Sequence, residues 1–351
     1  MRNAVPRVHQ TTMTKSPLLL LTMGDVAGIG PEIIARAWPD LHALCQPVVV
    51  GDAGWMRQAL RLTASSAEVQ LLTKLGESRS TPNVVPVLQA SKVKLDGVVP
   101  GKVSAAAGQA AYDFLCRAID ETLAGRAAGI VTLPLHKEGL HAAGVPHPGH
   151  TEILAERTGT QHFGMMLYAR GPKLPHGLGV VHVTLHMALH DIFRHITTSA
   201  VLEKIRLLDD MMKRLCGRQP RLGVAALNPH ASDGGLFGDE EVRLIVPAVQ
   251  TAQAEGIAVS GPWPSDTLFV RAAGSEFDGI VAMYHDQGHI ALKLLGGLHA
   301  VNVTVGLPLV RTSVAHGTAY DIVGKGIADP TSLIEAVRVA ALLCNGLEQA
   351  V

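Results

Sequence analysis

Short runs of aliphatic residues alternate along the chain with longer segments of helical periodicity. The runs lie at residues 18–23, 47–52, 129–135, 177–186, 221–227, 279–284 and 300–306. Nearly continuous Val, Ile and Leu indicates strands that are covered on both faces. Their alternation with helical segments predicts an α/β fold with a largely parallel sheet and helices outside it.

Five segments between and after these runs have apolar positions at helical spacing. They are GPEIIARAW, GQAAYDFLCRAIDETLAG, TSAVLEKIRLLDDMMKRLCG, DEEVRLIVPAVQTAQAEG and DPTSLIEAVRVAALLCNGLEQ. Three of them end at glycine, which commonly terminates helices. In the last segment we expect Asp329 to cap the helix, with Pro330 in its first turn.

The length of 351 residues is sufficient for two packing units. Residues 1–16 show no periodicity and are expected to form a flexible tail. We predict a first α/β lobe from residues 17–124 plus 266–351, and a second lobe from residues 125–265, with approximate boundaries.

Composition narrows the class of partner. The chain has 30 basic and 30 acidic residues, and no basic cluster follows a helix face, so a nucleic-acid partner is not expected. The run PLLLLTM is too short to span a membrane. Four cysteines spaced singly, at positions 45, 116, 216 and 344, resemble the reduced thiols of a cytoplasmic protein. A small molecule is the expected partner.

Three histidines follow predicted strands, and in parallel sheets ligands bind beyond the strand ends. They are His186, His230 and His285. One such histidine would more often be structural, but three in equivalent positions favour a divalent metal site with open positions for substrate oxygens. Strand alternation places His182 on the same face as His186, so periodicity alone leaves both as possible ligands.

Other polar residues near strand ends suit a small, multiply oxygenated anion. His150 and Thr151 follow the third run, in the same loop as Lys137, and Lys293, Asn302 and Arg311 lie in or beside later apolar segments. Arginine and lysine bind phosphate or carboxylate, and an asparagine amide can orient a hydroxyl. The glycine-rich turn GDVAGIGPE, residues 24–32, allows close approach either of an anion or of another chain segment.

Six motifs in order resemble the 4-hydroxythreonine-4-phosphate dehydrogenase family, which is related to the isocitrate and isopropylmalate dehydrogenases. They are GDVAGIGPE, GHTE, NPHASDGGLFG, YHDQGH, VNVTVGLPLVRTSV and HGTAYDIVGKG. The resemblance implies two α/β lobes with the active-site cleft between them. It also implies a homodimer in which two subunits complete each site, with dimer contacts on the second lobe.

The resemblance assigns roles to particular positions. It implies metal ligation by His186, His230 and His285, and substrate contacts at His150, Thr151, Lys293, Asn302 and Arg311. It implies NAD contacts at His316, Gly317, Thr318 and Asp321, where an acidic group on the ribose would favour NAD over NADP.

Two positions depart from the family pattern. Val26 stands where proline is usual, and Ala315 stands where aspartate is usual. The sequences YHDQGHIALKLLG, which contains His289, and NPHASDGGLFG more closely resemble the family branches that act on 4-phospho-D-threonate, 4-phospho-D-erythronate or cyclic dihydrodiols. Retention of Asn302 and Arg311 favours a phosphorylated substrate over a dihydrodiol.

The resemblance implies an enzyme that uses NAD and one divalent ion (Zn, Mg or Co) to oxidise the secondary hydroxyl of a 4-phosphorylated C4 hydroxy acid. It implies 4-phosphohydroxy-L-threonine, 4-phospho-D-threonate or 4-phospho-D-erythronate as the substrate, with loss of carbon dioxide from the resulting β-keto acid. Lys137 and Asp286 are the candidates for proton transfer. The alternatives are a metal-dependent lyase or hydrolase without nucleotide, a dihydrodiol dehydrogenase, and a non-catalytic sugar-phosphate binding protein.

Overall fold

A computed structural model describes residues 16–78 and 80–348, so the predicted tail lies, apart from Ser16, outside the described residues. The strands are β1 (Leu18–Thr22), β2 (Gln46–Gly51), β3 (Glu68–Leu72), β4 (Val84–Gln89), β5 (Gly129–Thr132), β6 (Gly164–Gly171), β7 (Leu174–His182), β8 (Leu222–Ala225), β9 (Val259–Trp263), β10 (Gly279–Ala282), β11 (Ala300–Val305) and β12 (Val310–Val314). The helices are α1 (Gly30–Leu41), α2 (Ala53–Leu62), α3 (Ala105–Leu123), α4 (Lys137–Ala142), α5 (His150–Thr158), α6 (Ile192–His195), α7 (Thr198–Cys216), α8 (Val246–Ala254), α9 (Ser265–Ala273), α10 (His285–Gly296) and α11 (Thr331–Glu348).

In the described part of the chain, twelve strands form one sheet in the order β3-β4-β2-β1-β5-β12-β11-β6-β7-β10-β8-β9. Neighbouring strands are parallel except at β12 with β11, β11 with β6, and β6 with β7. The predicted α/β fold with a largely parallel sheet is therefore confirmed. The three antiparallel pairs reverse the strand direction at the centre of the sheet.

Helices cover the sheet on both faces. On one face α11 packs on β12 and contacts α1 and α7, and on the other α3 packs against β1, β2 and β5. Leu19, Leu20 and Leu21 are consequently all buried, although successive side chains point to opposite faces. This agrees with the continuous apolar runs of the sequence.

All seven predicted runs contain a strand, but the run at 177–186 is wrong at its end. β7 stops at His182, and beyond it the hydroxyl of Thr184 donates to the carbonyl of Met283 at 2.8 Å. His186 therefore lies in a loop and does not share a strand face with His182. The predicted helix cap is wrong by one residue. Asp329 accepts a hydrogen bond from the backbone N–H of Thr331 at 2.8 Å, but α11 begins at Thr331 and the carbonyl of Pro330 accepts the first helical bonds, so Pro330 occupies the cap position.

The turn at residues 24–32 is filled by other segments of the chain. Gly24 has a φ of +69°, and a side chain there would overlap the carbonyl oxygen of Pro134. A Cβ at Gly28 would lie 2.9 Å from that of Thr318. The sequence left open whether this turn allows close approach of an anion or of another chain segment. The structure shows that these two glycines allow close approach of another chain segment.

No helix in the described residues has both the length and the hydropathy of a membrane-crossing segment. The lobe boundaries near residues 125 and 265 stay a prediction. β10, which follows residue 265, pairs with β7 and β8 from the middle of the chain.

Candidate active site

A cleft of about 680 Å³ opens over the centre of the sheet, where strand direction reverses. Several side chains predicted from the sequence to contact ligands line it together: Lys137, His150, Thr151, His186, Asn302, Arg311, His316 and Gly317. They come from regions of the chain separated by up to 180 positions. Polar groups that converge in one large cleft are typical of a ligand site.

Arg311 lies on the floor of the cleft and is only 3% exposed. Its Nε and Nη2 donate to the Thr132 hydroxyl at 3.1 and 2.6 Å, and Nη1 donates to the Thr304 hydroxyl at 3.0 Å. Burial lowers the pKa of the guanidinium to about 10, against the opposing effect of Glu152. Since its hydrogen bonds within the described residues go only to neutral hydroxyls, the charge is available to an anionic ligand.

His150 and Thr151 form the first turn of α5, beside Arg311. Burial, and then the charge of Arg311, lower the pKa of His150 well below its ordinary value, while a hydrogen bond with the backbone of Leu133 opposes the shift. The imidazole is therefore neutral near pH 7. A helix N-terminus beside a buried guanidinium favours phosphate or carboxylate.

Three cleft-lining side chains carry buried polar atoms without a hydrogen-bond partner among the described residues. They are Nδ1 of His182, Oδ1 of Asn302 and Nε2 of His316. Buried polar groups are nearly always satisfied in native proteins, so these atoms point to a bound ligand.

The predicted cofactor residues divide into two groups. His316 and Gly317 line the cleft. Thr318 instead packs against Gly28, and its carbonyl accepts a hydrogen bond from Ile29 at 3.0 Å. Asp321 is exposed and lies outside the cleft lining.

The segment that follows His316 is anchored to the turn at residues 24–32. The hydroxyl of Tyr320 donates to the buried carboxylate of Asp25 at 2.6 Å, and its ring stacks on His136 with centroids 4.9 Å apart. Burial raises the pKa of Asp25, although hydrogen bonds from Tyr320 and the backbone of Ala27 oppose the change. These contacts anchor the segment that directly follows the cleft-lining residues His316 and Gly317.

Two of the three predicted metal ligands lie together. The ring centroids of His186 and His285 are 5.6 Å apart, and both residues line a second cleft of about 410 Å³. Burial, followed by the charge of Lys137 and the proximity of His285, lowers the pKa of His186. A neutral imidazole of this kind suits a metal ion or a substrate hydroxyl.

The third predicted ligand lies elsewhere. His230 has a side chain that is 63% exposed, with Nδ1 3.1 Å from Oδ2 of Asp233, and it lines neither cleft. It begins a stretch of positive φ values that extends to Gly235. Among the described residues of one chain, no three His, Cys, Asp or Glu side chains are placed to hold a metal ion.

The remaining predicted residues are on the surface. Lys137 is exposed at the start of α4, on the rim of the cleft. Asp286 is exposed on α10, with Oδ1 2.7 Å from Nδ1 of His285. Lys293 is exposed on the same helix and lines neither cleft.

Sequence reasoning missed one residue of the cleft, Lys204, and one contact beside it, between His182 and His289. Lys204 on α7 lines the cleft, although the helical pattern places a lysine there on a solvated face. His182 and His289 form a buried pair with Nε2 and Nδ1 3.1 Å apart, and the His289 ring stacks on His285 at 3.8 Å. Both histidines are visible in the sequence, but nothing in their spacing indicates that they meet.

A family model described as "Pyridoxal phosphate biosynthetic protein PdxA" matches residues 43–340. The chain belongs to the PdxA family. A 4-hydroxythreonine-4-phosphate dehydrogenase from Beijerinckia indica is 46% identical over 325 residues, which cover 93% of this chain and 94% of that protein. A D-threonate 4-phosphate dehydrogenase from Cupriavidus necator is 45% identical over 332 residues, which cover 94% and 98%.

The fold of the PdxA family is also confirmed by solved structures. A crystal structure of a 4-hydroxythreonine-4-phosphate dehydrogenase from Klebsiella pneumoniae superposes with a TM-score of 0.85 at 40% identity, covering 95% of this chain and 100% of that one. The resemblance found in the sequence motifs is therefore confirmed. The protein is a dehydrogenase of the PdxA family, which implies a nicotinamide dinucleotide, NAD or NADP.

The buried histidine pair predicts a pH-dependent stability. Burial and then neighbouring histidines lower the pKa of His182 to about 3, and burial, His285 and Lys293 lower that of His289 to about 4. Unfolded histidine titrates near pH 6.5, so between these values the unfolded chain binds more protons than the folded one. The contribution of this pair to the unfolding free energy is therefore fully present above about pH 6.5 and is lost as the pH falls toward 4.

We expect the unfolding free energy to drop by roughly 2–4 kcal/mol more between pH 7 and pH 5 in the wild type than in a His182→Leu/His289→Leu variant. Urea denaturation in the presence of a chelator measures the difference. The exposed His176 on the same strand provides a matched control as His176→Leu, which should keep the wild-type slope. Equal slopes in the wild type and the double variant would contradict the prediction.

Proposed function

We propose that this protein oxidises the secondary hydroxyl of a 4-phosphorylated C4 hydroxy acid with NAD, followed by loss of carbon dioxide from the β-keto acid. The named activities of the Beijerinckia and Cupriavidus proteins support a phosphorylated substrate of this size. A cytoplasmic location, suggested by the singly spaced cysteines, is part of the same proposal.

The observation that carries the proposal is the burial of Arg311 without an anionic partner among the described residues. A guanidinium held by two threonine hydroxyls keeps its position before a ligand arrives. Phosphate or carboxylate would supply the missing charge, with His150 and Thr151 beside it. Binding the substrate between these groups restricts it to one reactive orientation.

The proposed cofactor site lies in the same cleft. His316, whose buried Nε2 lacks a partner in the described structure, and Gly317 would hold NAD, with Thr318 and Asp321 in the adjoining segment. When bound, NAD accepts a hydride from the carbon that carries the reacting hydroxyl. Lys137 at the rim and Asp286 beside His285 are the proposed groups for moving the proton.

The described residues of one chain do not provide a complete set of ligands for the proposed divalent metal, whether Zn, Mg or Co. His186 and His285 are close, but the exposed His230 is not with them. We therefore derive no step of the reaction through the ion. The proposal that these three histidines hold it includes a homodimer in which the partner subunit completes the site.

The alternatives are less well supported. A lyase or hydrolase without nucleotide does not account for membership of a dehydrogenase family. A dihydrodiol has no phosphate for Arg311, and a non-catalytic binding protein would not need the histidines near the anion site.

The wild-type protein should reduce NAD in the presence of a divalent metal and at least one of three acids: 4-phospho-D-threonate, 4-phospho-D-erythronate or 4-phosphohydroxy-L-threonine. Absorbance of the reduced nicotinamide at a fixed time, together with release of carbon dioxide, measures the reaction. Consumption of an acid without NADH would replace the dehydrogenase proposal for these substrates with the lyase.

Replacing Arg311 by lysine should raise KM for the phosphorylated acid about 10- to 100-fold, because a lysine cannot bind two oxygens side by side. Steady-state kinetics measures the effect. Arg243→Lys, which changes an exposed arginine paired with Asp239, is the control and should leave KM unchanged. An unaltered KM in Arg311→Lys would place the phosphate elsewhere.

Mixed variants test whether two subunits share a site. His186→Ala and His230→Ala should each be nearly inactive and should retain less metal. If the ligands come from different subunits, subunit exchange between the two variants gives mixed dimers that contain one intact site, so activity returns. Activity of the refolded mixture, and its metal content by atomic absorption, measure the recovery. A mixture that exchanges subunits but stays inactive would contradict the shared site.

A further inference from the structure

Lys204 is a second cation of the cleft and is partly buried. Its side chain is 14% exposed, and Nζ donates to the carbonyl of Phe163 at 3.1 Å and to Oε1 of Glu203 at 2.8 Å. An ammonium group has three N–H donors, so one donor remains beyond these two contacts. Because Lys204 lines the cleft, that donor can serve a ligand.

Lys204 and Arg311 lie near adjacent residues of the central strands. Arg311 donates to Thr304, which pairs across the sheet with Met165 of β6. The next residue toward the start of β6 is Gly164, and a Cβ there would lie 3.7 Å from Nζ of Lys204. The cleft lining thus includes two cationic groups at separate places, Arg311 with hydroxyl partners and Lys204 with Glu203 as its ion-pair partner outside the lining, which suits a ligand with two anionic groups.

The lining of this cleft is rich in cationic and imidazole groups. Besides Lys204 and Arg311 it includes Lys137, His150 and His186. Glu152 is the one carboxylate among the described lining residues. A cationic group on a substrate would therefore meet few compensating charges.

The candidate substrates differ in charge at a single carbon. 4-Phosphohydroxy-L-threonine carries an ammonium next to its carboxylate, whereas 4-phospho-D-threonate and 4-phospho-D-erythronate carry a hydroxyl there. A hydroxyl oxygen of the ligand can accept a hydrogen bond from the ammonium group of a lysine. An ammonium group of the ligand cannot accept this hydrogen bond and is repelled by the charge of the lysine. Both classes share the phosphate and the carboxylate, so the difference isolates this one position.

We propose that Lys204 is a specificity-determining residue that selects a 4-phosphorylated 2-hydroxy acid over the corresponding 2-amino acid. Lys204 binds the carboxylate end of the substrate, and its charge excludes an ammonium at the neighbouring carbon. The inference rests on the proposed function, and it assigns this chain to the hydroxy-acid class among the substrates named there.

The test is the ratio of two dissociation constants, measured by calorimetry on the full chain without NAD so that no turnover occurs. The ligands are 4-phospho-D-threonate and 4-phosphohydroxy-L-threonine. In the wild type the hydroxy acid should bind roughly tenfold or more tightly than the amino acid. In Lys204→Met this ratio should fall by about fivefold or more, because both ligands lose the same carboxylate contact but the amino acid also loses the repulsion.

Three further variants separate charge from structure. Lys204→Gln keeps a donor for the Phe163 carbonyl without the charge, and it should lower the ratio as Lys204→Met does. Glu203→Gln removes the neighbouring carboxylate and should leave the ratio unchanged or raise it. Lys173→Met, in the exposed turn between β6 and β7, controls for the loss of one charge and should leave the ratio unchanged.

Each outcome supports or overturns the inference. A wild type that binds the amino acid as tightly as the hydroxy acid, or that binds neither, would overturn it. So would an equal weakening of both ligands in the Lys204 variants, even if the dehydrogenase activity is intact. If the ratios behave as expected but no acid yields NADH, the selectivity stands and the proposed reaction fails.

Discussion

The centre of the molecule depends on one buried guanidinium that is bonded to neutral groups. Arg311 on β12 reaches Thr132 on β5 and Thr304 on β11, so it links three adjacent strands at the place where strand direction reverses. Burial of a cation without an anion is unfavourable, and a carboxylate from the chain itself would relieve it but would also occupy the site. Hydroxyl groups hold the side chain in place and leave its charge for a ligand. The polar cleft forms around this arrangement.

The sequence predicts the parts of the fold that follow from burial alone. The seven apolar runs are strands because both faces of the sheet are covered by helices. The seven runs did not predict β3, β4, β6, β9 and β12. In β12, Arg311 and Ser313 face the cleft and interrupt the apolar pattern. Several residues of the cleft could be selected by their position in or after the apolar segments, but Lys204 could not, since its helix has the ordinary pattern of a half-buried surface helix. The pairing of His182 with His289 is a tertiary contact that no local pattern contains.

Relatedness identifies the chemistry better than it identifies the substrate. Two relatives with different named substrates are 46% and 45% identical to this chain over nearly its whole length. Overall identity therefore does not decide whether the substrate is an amino acid or a hydroxy acid. The two ligands differ at one carbon, and only a few side chains contact that carbon. The charges that line the cleft are where the distinction has to be made, and they lie on separate elements such as β12, α5 and α7.

The loop that contains His230 has a further consequence for how the protein can change over time. Four successive residues other than glycine, from His230 to Asp233, have positive φ values, which are unfavourable by roughly 1–3 kcal/mol each. The carboxylate of Glu241 accepts hydrogen bonds from the backbone N–H groups of Leu227 and Asn228, and it holds the loop in this shape. Selection for heat resistance alone would favour a relaxed version of this segment. Persistence of the strained conformation in a lineage would thus record continued use of the loop, independently of how well the rest of the chain resists melting.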